Sequence, residues 1–125
     1  MANSAVRSVY MTFPDEAAAL DVAGALLSES LIACANIFPA GRSLYRWQGE
    51  VVDEAEVVVI VKSTSGLLER LVSRVNDLHP YDTPCVVALA CDGGDRRYLD
   101  WVEEQTATGS RPGNRAAIGE GPEFD

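Results

Sequence analysis

Few side chains in this 125-residue sequence carry reactive or ligating chemistry, and two of those occur once: His79 is the only histidine and Lys62 the only lysine. A neutral imidazole is a natural ligand for copper or zinc. His79 stands directly before Pro80 at the end of a helical pattern, one residue past Leu78 and off that helix's apolar stripe. The spacing predicts a ring outside the helix core, either contacting a metal ion or complementing the helix dipole. Lys62 follows an apolar run and is predicted at a strand-to-helix junction, where an ammonium group suits an anionic ligand or a nearby carboxylate. Tyr45 and Trp47 alternate with Arg46, so an extended backbone puts both rings on one face. Tyr81, Tyr98 and Trp101 complete an aromatic and polar set with the single ammonium group. Rings at such spacing pack into a subunit contact or stack on a ligand.

The thiols and carboxylates have plainer explanations. Cys34 lies between Ala33 and Ala35 and reads as a packed core residue, with a soft ligand as its functional alternative. Cys85 and Cys91 fall six residues apart on one predicted strand, roughly 20 Å, whereas a disulfide needs Cα atoms within about 7 Å. No CxxC occurs, which removes zinc-ribbon and thioredoxin-like chemistry. Asp53, Glu54 and Glu56, with Glu50 nearby, offer oxygens to a hard cation but lack EF-hand spacing, so a solvated rim is expected. Asp82 reads as a turn residue bonding its own backbone. Neither GxSxG, a P-loop, GxGxxG nor HExxH is present, and the sequence offers no positive argument for an enzyme.

The elements that must position these groups follow from periodicity. Residues 4–13 are rich in β-branched and aromatic types and predict a strand that Pro14 ends. Asp15 caps an amphipathic helix over 15–30, carrying Ala19, Val22, Ala23, Leu26 and Leu27. A second strand over 32–48 is bent at Pro39-Ala40-Gly41 and turns tightly at Gln48-Gly49-Glu50 into a third over 51–62. A helix over 64–79, a strand over 85–91 and a short helix capped by Asp95 complete the chain. The class is α+β, and the order βαββαβ plus a C-terminal helix is that of a ferredoxin-like antiparallel sheet, one domain over 1–106. The Gly- and Pro-rich stretch over 107–125 predicts a disordered tail.

VVVIV (57–61) and VVALA (86–90) are continuous apolar runs where a half-exposed antiparallel strand would alternate. Helices cover one face only, so a second copy of the chain is expected on the other. The hairpin over 42–53 is long for so small a domain and reads as an arm pairing with a neighbour's sheet edge. Nineteen acidic against ten basic residues give a net charge of -9, which argues against nucleic acid or an anionic membrane as partner. The N-terminus shows no apolar h-region and no stretch approaches the roughly 18 residues of a membrane span, so the cytosol is the expected compartment.

The run VYMTFPDE (9–16), then LIACANIFP (31–39), SLYRWQGEV (43–51), VKSTSG (61–66), HPYDTP (79–84) and YLDWVEE (98–104), resembles the CutA family of divalent-cation tolerance proteins. The resemblance implies a ferredoxin-like subunit in a tight homotrimer of PII-like architecture, with the long hairpin interlocking three sheets. It implies a non-enzymatic role in binding and tolerating copper or another divalent cation, with His79 as a metal ligand. Copper ligands proposed in the family include a thiol where this chain has Met11 and a histidine where it has Leu78, so the implied set is incomplete here. The resemblance also places Tyr45, Trp47, Lys62, Tyr81 and Trp101 along a cleft between protomers. The alternative it raises is a PII-like sensor holding a small anionic molecule there, for which Lys62 supplies the cation.

Overall fold

Residues 4–107 are described by a computed structural model. Strand β1 (Val6–Phe13) ends at Pro14, and Asp15 takes an extended N-cap position from which its Oδ1 accepts the Ala18 N–H at 2.8 Å. Helix α1 (Glu16–Ser28) follows, then the long strands β2 (Cys34–Trp47) and β3 (Glu50–Thr64). Gln48 and Gly49 turn between them with φ of 52° and 84°, and left-handed geometry at both central residues suits a two-residue hairpin. Helix α2 (Leu68–Leu78), strand β4 (Val86–Ala90) and helix α3 (Arg96–Gln105) complete the order. Asp95 caps α3, accepting from the Arg97 and Tyr98 amides, and its carboxyl titrates below its usual range because Arg97 bonds to it.

The sheet runs β2-β3-β1-β4, entirely antiparallel, which is the expected ferredoxin-like arrangement. Strand alternation sorts the side chains. Val9, Met11 and Phe13 of β1 and Val57, Val59 and Val61 of β3 point to one face and are buried under Ala19, Val22 and Leu26 of α1 and Leu71 and Val75 of α2. The other face carries Tyr10, Phe38, Val87 and Leu89, 36–57% exposed. Only α3 reaches it, at one end, where Val102 packs on Val6 and Ala33 with Tyr98 and Trp101 at its edge. Within a single chain the apolar run of β3 thus has one buried and one half-open face, whereas that of β4 is exposed along its length except for half-buried Val86.

The junction between β3 and α2 differs most from its expected place. Strand β3 continues to Thr64 instead of stopping near Lys62, because Val6 pairs with Thr64 and the Ser63 hydroxyl donates to the Leu31 carbonyl at 2.7 Å. The second helix consequently starts at Leu68, after a 3-10 turn over Ser65–Leu67. The bend at Pro39–Gly41 is a bulge: Phe38 faces Val58 and Gly41 faces Glu56, three steps against two. A Cβ at Gly41 would sit 2.5 Å from the Glu56 carbonyl oxygen, so this position requires glycine. The tail expected over 107–125 lies, beyond Ala107, outside the described residues. Among the described residues no helix is long and apolar enough to cross a membrane.

Candidate functional site

At the root of the arm the open sheet face dips into a groove of about 1040 Å³. The bulge sets its composition. Past Gly41 the odd residues of β2 oppose the even residues of β3, so Ser43, Tyr45 and Trp47 share a face with Glu54 and Glu56. Tyr10 and Thr12 of β1, Tyr81 and Asp82 of the α2–β4 loop, and Cys85 close the remaining sides.

Glu56 lies at the centre. It is 7% exposed, and its two carboxylate oxygens accept from the Ser43 hydroxyl at 2.6 Å and the Tyr81 hydroxyl at 2.8 Å. This corrects the expectation of a solvated acidic rim for this residue. The missed signal is strand phase, since Glu56 falls in register with Val58 and Ile60. Glu54 accepts from the Tyr45 hydroxyl at 2.8 Å, which raises the Tyr45 phenol above its usual range. The Tyr81 phenol rises further, first through burial and then through its bond to Glu56. Burial, with Glu56 nearby, also pushes the Cys85 thiol up, opposed by its contact with Thr12. The groove therefore sets protonated hydroxyl and thiol groups beside the carboxylates of Glu54 and Glu56.

His79 departs most from expectation. It is 7% exposed and stacked on Phe13 with ring centroids 4.4 Å apart. Its extended backbone (φ -74°, ψ 140°) turns the ring back under the sheet. Nδ1 accepts the Tyr81 N–H at 3.1 Å, so Nε2 carries the proton and donates to the Thr12 carbonyl at 2.7 Å. Both nitrogens are engaged within the chain, and a metal ion could take either only by breaking one of these bonds. The imidazole acts on the site by fixing the backbone of Tyr81.

The other sequence candidates divide. Tyr45, Trp47 and Tyr81 line the groove; Lys62 and Trp101 do not. Lys62 lies inside β3, opposite Ser8 and Cys34, because the strand runs two residues past it. Trp101 tilts against Tyr98 at 5.7 Å on α3, at the far end of the open face. There the Tyr98 hydroxyl meets Cys34 Sγ at 3.3 Å, and burial and then that contact raise the Tyr98 phenol. Cys34, Cys85 and Cys91 are all free and half-buried. Among the described residues no three His, Cys, Asp or Glu side chains are grouped to hold a metal ion.

A two-layer α+β domain whose sheet extends into an arm, with an aromatic and carboxylate-lined groove at the arm's root, is a ferredoxin-like domain. The sequence model of the family described as CutA1 divalent ion tolerance protein matches residues 7–105, and the chain belongs to this CutA family. The Divalent-cation tolerance protein CutA of Thermus thermophilus is 48% identical over 98 residues, covering 78% of this chain and 95% of that protein. The protein of that name from Pyrococcus horikoshii is 42% identical with the same coverage of both. Protein CutA 1, chloroplastic, of Oryza sativa is 42% identical, and the chain spans only 55% of its length. Among solved structures, Cut A1 from Thermus thermophilus superposes with a TM-score of 0.80 at 46% identity, covering 82% of this chain and 99% of that one. CutA1 from Oryza sativa gives 0.81 at 39% identity, covering 85% and 97%.

Proposed function

We propose that the chain acts as a homotrimer in divalent-cation tolerance, by binding rather than by catalysis, with its ligand in the groove where Tyr45, Trp47 and Tyr81 meet Glu54 and Glu56. One observation carries this reading: the groove opens onto the sheet face that the chain's own helices leave uncovered, and Tyr10 belongs to both. A second copy laid on that face walls the groove and makes it a subunit-border site. Contiguous exposed apolar surface of this kind marks an interface.

Copper or another divalent cation is the occupant we assign. The groove's charge has the right sign, because Glu54, Glu56 and Asp82 face a single arginine, Arg42, which Asp53 already binds at 2.7 Å. Carboxylate and hydroxyl oxygens suit hard cations and Cys85 a softer one, although among the described residues they form no ready-made ligand cluster within one chain. His79 stays outside the ligand set because its nitrogens are taken. The PII-like alternative, a small anionic molecule, needs a free cation that the groove of one chain does not supply.

Native mass spectrometry of the purified protein reports subunit number, carried metal and retained small ligand together. The expected species is a trimer that takes up Cu²⁺ or Zn²⁺ and loses the ion on Glu54→Gln. A folded monomer at micromolar concentration overturns the reading. A retained anion that leaves on Lys62→Ala transfers the site to the PII-like alternative.

A further inference from the structure

Along β3 the even residues Glu56, Val58, Ile60 and Lys62 form one row on the open face, a carboxylate and an ammonium group separated by two apolar side chains. Both charged ends are incomplete. Glu56 is 7% exposed and satisfied only by two neutral hydroxyls; among the described residues no cation pairs with it. Lys62 is half-buried at the other end and makes no ion pair among the described residues. Six residues at about 3.3 Å each separate the two by about 20 Å, so the pair cannot close within one chain.

We infer that a second copy closes it: Lys62 of one subunit docks on Glu56 of the next, with Val58, Ile60 and Tyr10 forming the apolar contact between them. The inference rests on the homotrimer proposed above. Each subunit donates one ammonium group and receives one, so a cyclic arrangement of three closes with every Glu56 paired. The groove is then incomplete in a single chain, because one of its walls is the neighbour's lysine. Lys62 is also neutralised by that pairing, which leaves Glu54 and Asp82 as the groove's net charge and favours a cation over an anion as its occupant.

The single lysine makes a direct test possible. Carbodiimide joins a carboxylate to an amine in contact with it and leaves no spacer. In trimers reassembled from unlabelled and ¹⁵N-labelled chains, peptide mapping should find Glu56 amide-linked to Lys62 in mixed-isotope pairs. Glu56→Gln and Lys62→Met should each weaken assembly at least tenfold, and the double variant should be no weaker than the worse single. Absence of the crosslink, a link within one chain, coupling of Lys62 to another carboxylate, or additive losses overturns the pair while the trimer stands. Wild-type protein that sediments as a monomer removes the trimer as well. The crosslink is read on wild-type protein, so a variant that misfolds leaves it decisive.

Discussion

The two faces of β3 are made from almost the same residue types and meet opposite fates. Val57, Val59 and Val61 are sealed under two helices, each no more than 4% exposed. Val58 and Ile60, one step away along the same strand, lie only half-covered beside exposed Val87, Leu89 and Phe38. The difference is tertiary. Both crossover helices return to one side, and α3 reaches only one end of the other. The covered face makes the chain a folded object; the uncovered face bears the groove and the charges of Glu56 and Lys62, which make no ion pair among the described residues.

Damage to each face separately should have opposite consequences. Leu71→Ala under the helices should cost about 2–5 kcal/mol, since Leu71 is fully buried and leaves a cavity. Thermal or denaturant unfolding should show that loss, with assembly and fold failing together. Leu89→Glu should do the reverse. Leu89 is 57% exposed in the single chain, so secondary structure by circular dichroism should survive while light scattering shows the assembly falling apart. If Leu89→Glu unfolds the chain instead, the open face contributes to the subunit's own stability.

A smaller effect sharpens the picture at the groove. Tyr81→Phe removes one hydroxyl bond to Glu56, worth about 1.5–3 kcal/mol for a bond to a charged acceptor. The sign with pH is fixed by the raised phenol. A group whose folded value lies above its ordinary 10.0 contributes fully below that pH and loses its contribution as pH rises beyond it. The stability gap between wild type and Tyr81→Phe should be flat through neutrality and narrow above about pH 10. Chemical denaturation across that range measures it, and a gap that widens would show that Tyr81 does not donate to Glu56.

What was legible in the sequence is what local chemistry decides. Asp15 and Asp95 are short acceptors ahead of apolar periodicity, and both cap. Pro39-Ala40-Gly41 interrupts an extended run, and a bulge forms there. Gln48-Gly49 sits between two strands, and a tight turn results. What was not legible depends on partners distant in the chain. His79 reads as exposed when projected along α2, but its position is fixed by Phe13 and Thr12, more than sixty residues earlier. Tyr45, Trp47, Lys62, Tyr81 and Trp101 look like one set in the sequence. Strand register divides them between two ends of the sheet, and register is visible only once β2, β3 and β1 are paired.

The bulge also marks where along the arm the residue count can change singly. Residues added or removed as facing pairs at the tip, around Gln48-Gly49, would lengthen or shorten the arm while leaving every ring and carboxylate on its own side. Loss of Ala40 would match the steps of the two strands, two against two, and Gly41 would still face Glu56. Loss of one codon at Leu44 would barely alter composition, yet it would act as a spatial frameshift: Tyr45 would face Asp53 and Trp47 would face Val51, on the side away from Glu54 and Glu56. The arm's length is thus free in steps of two at its tip and tolerant of a single step only at its root.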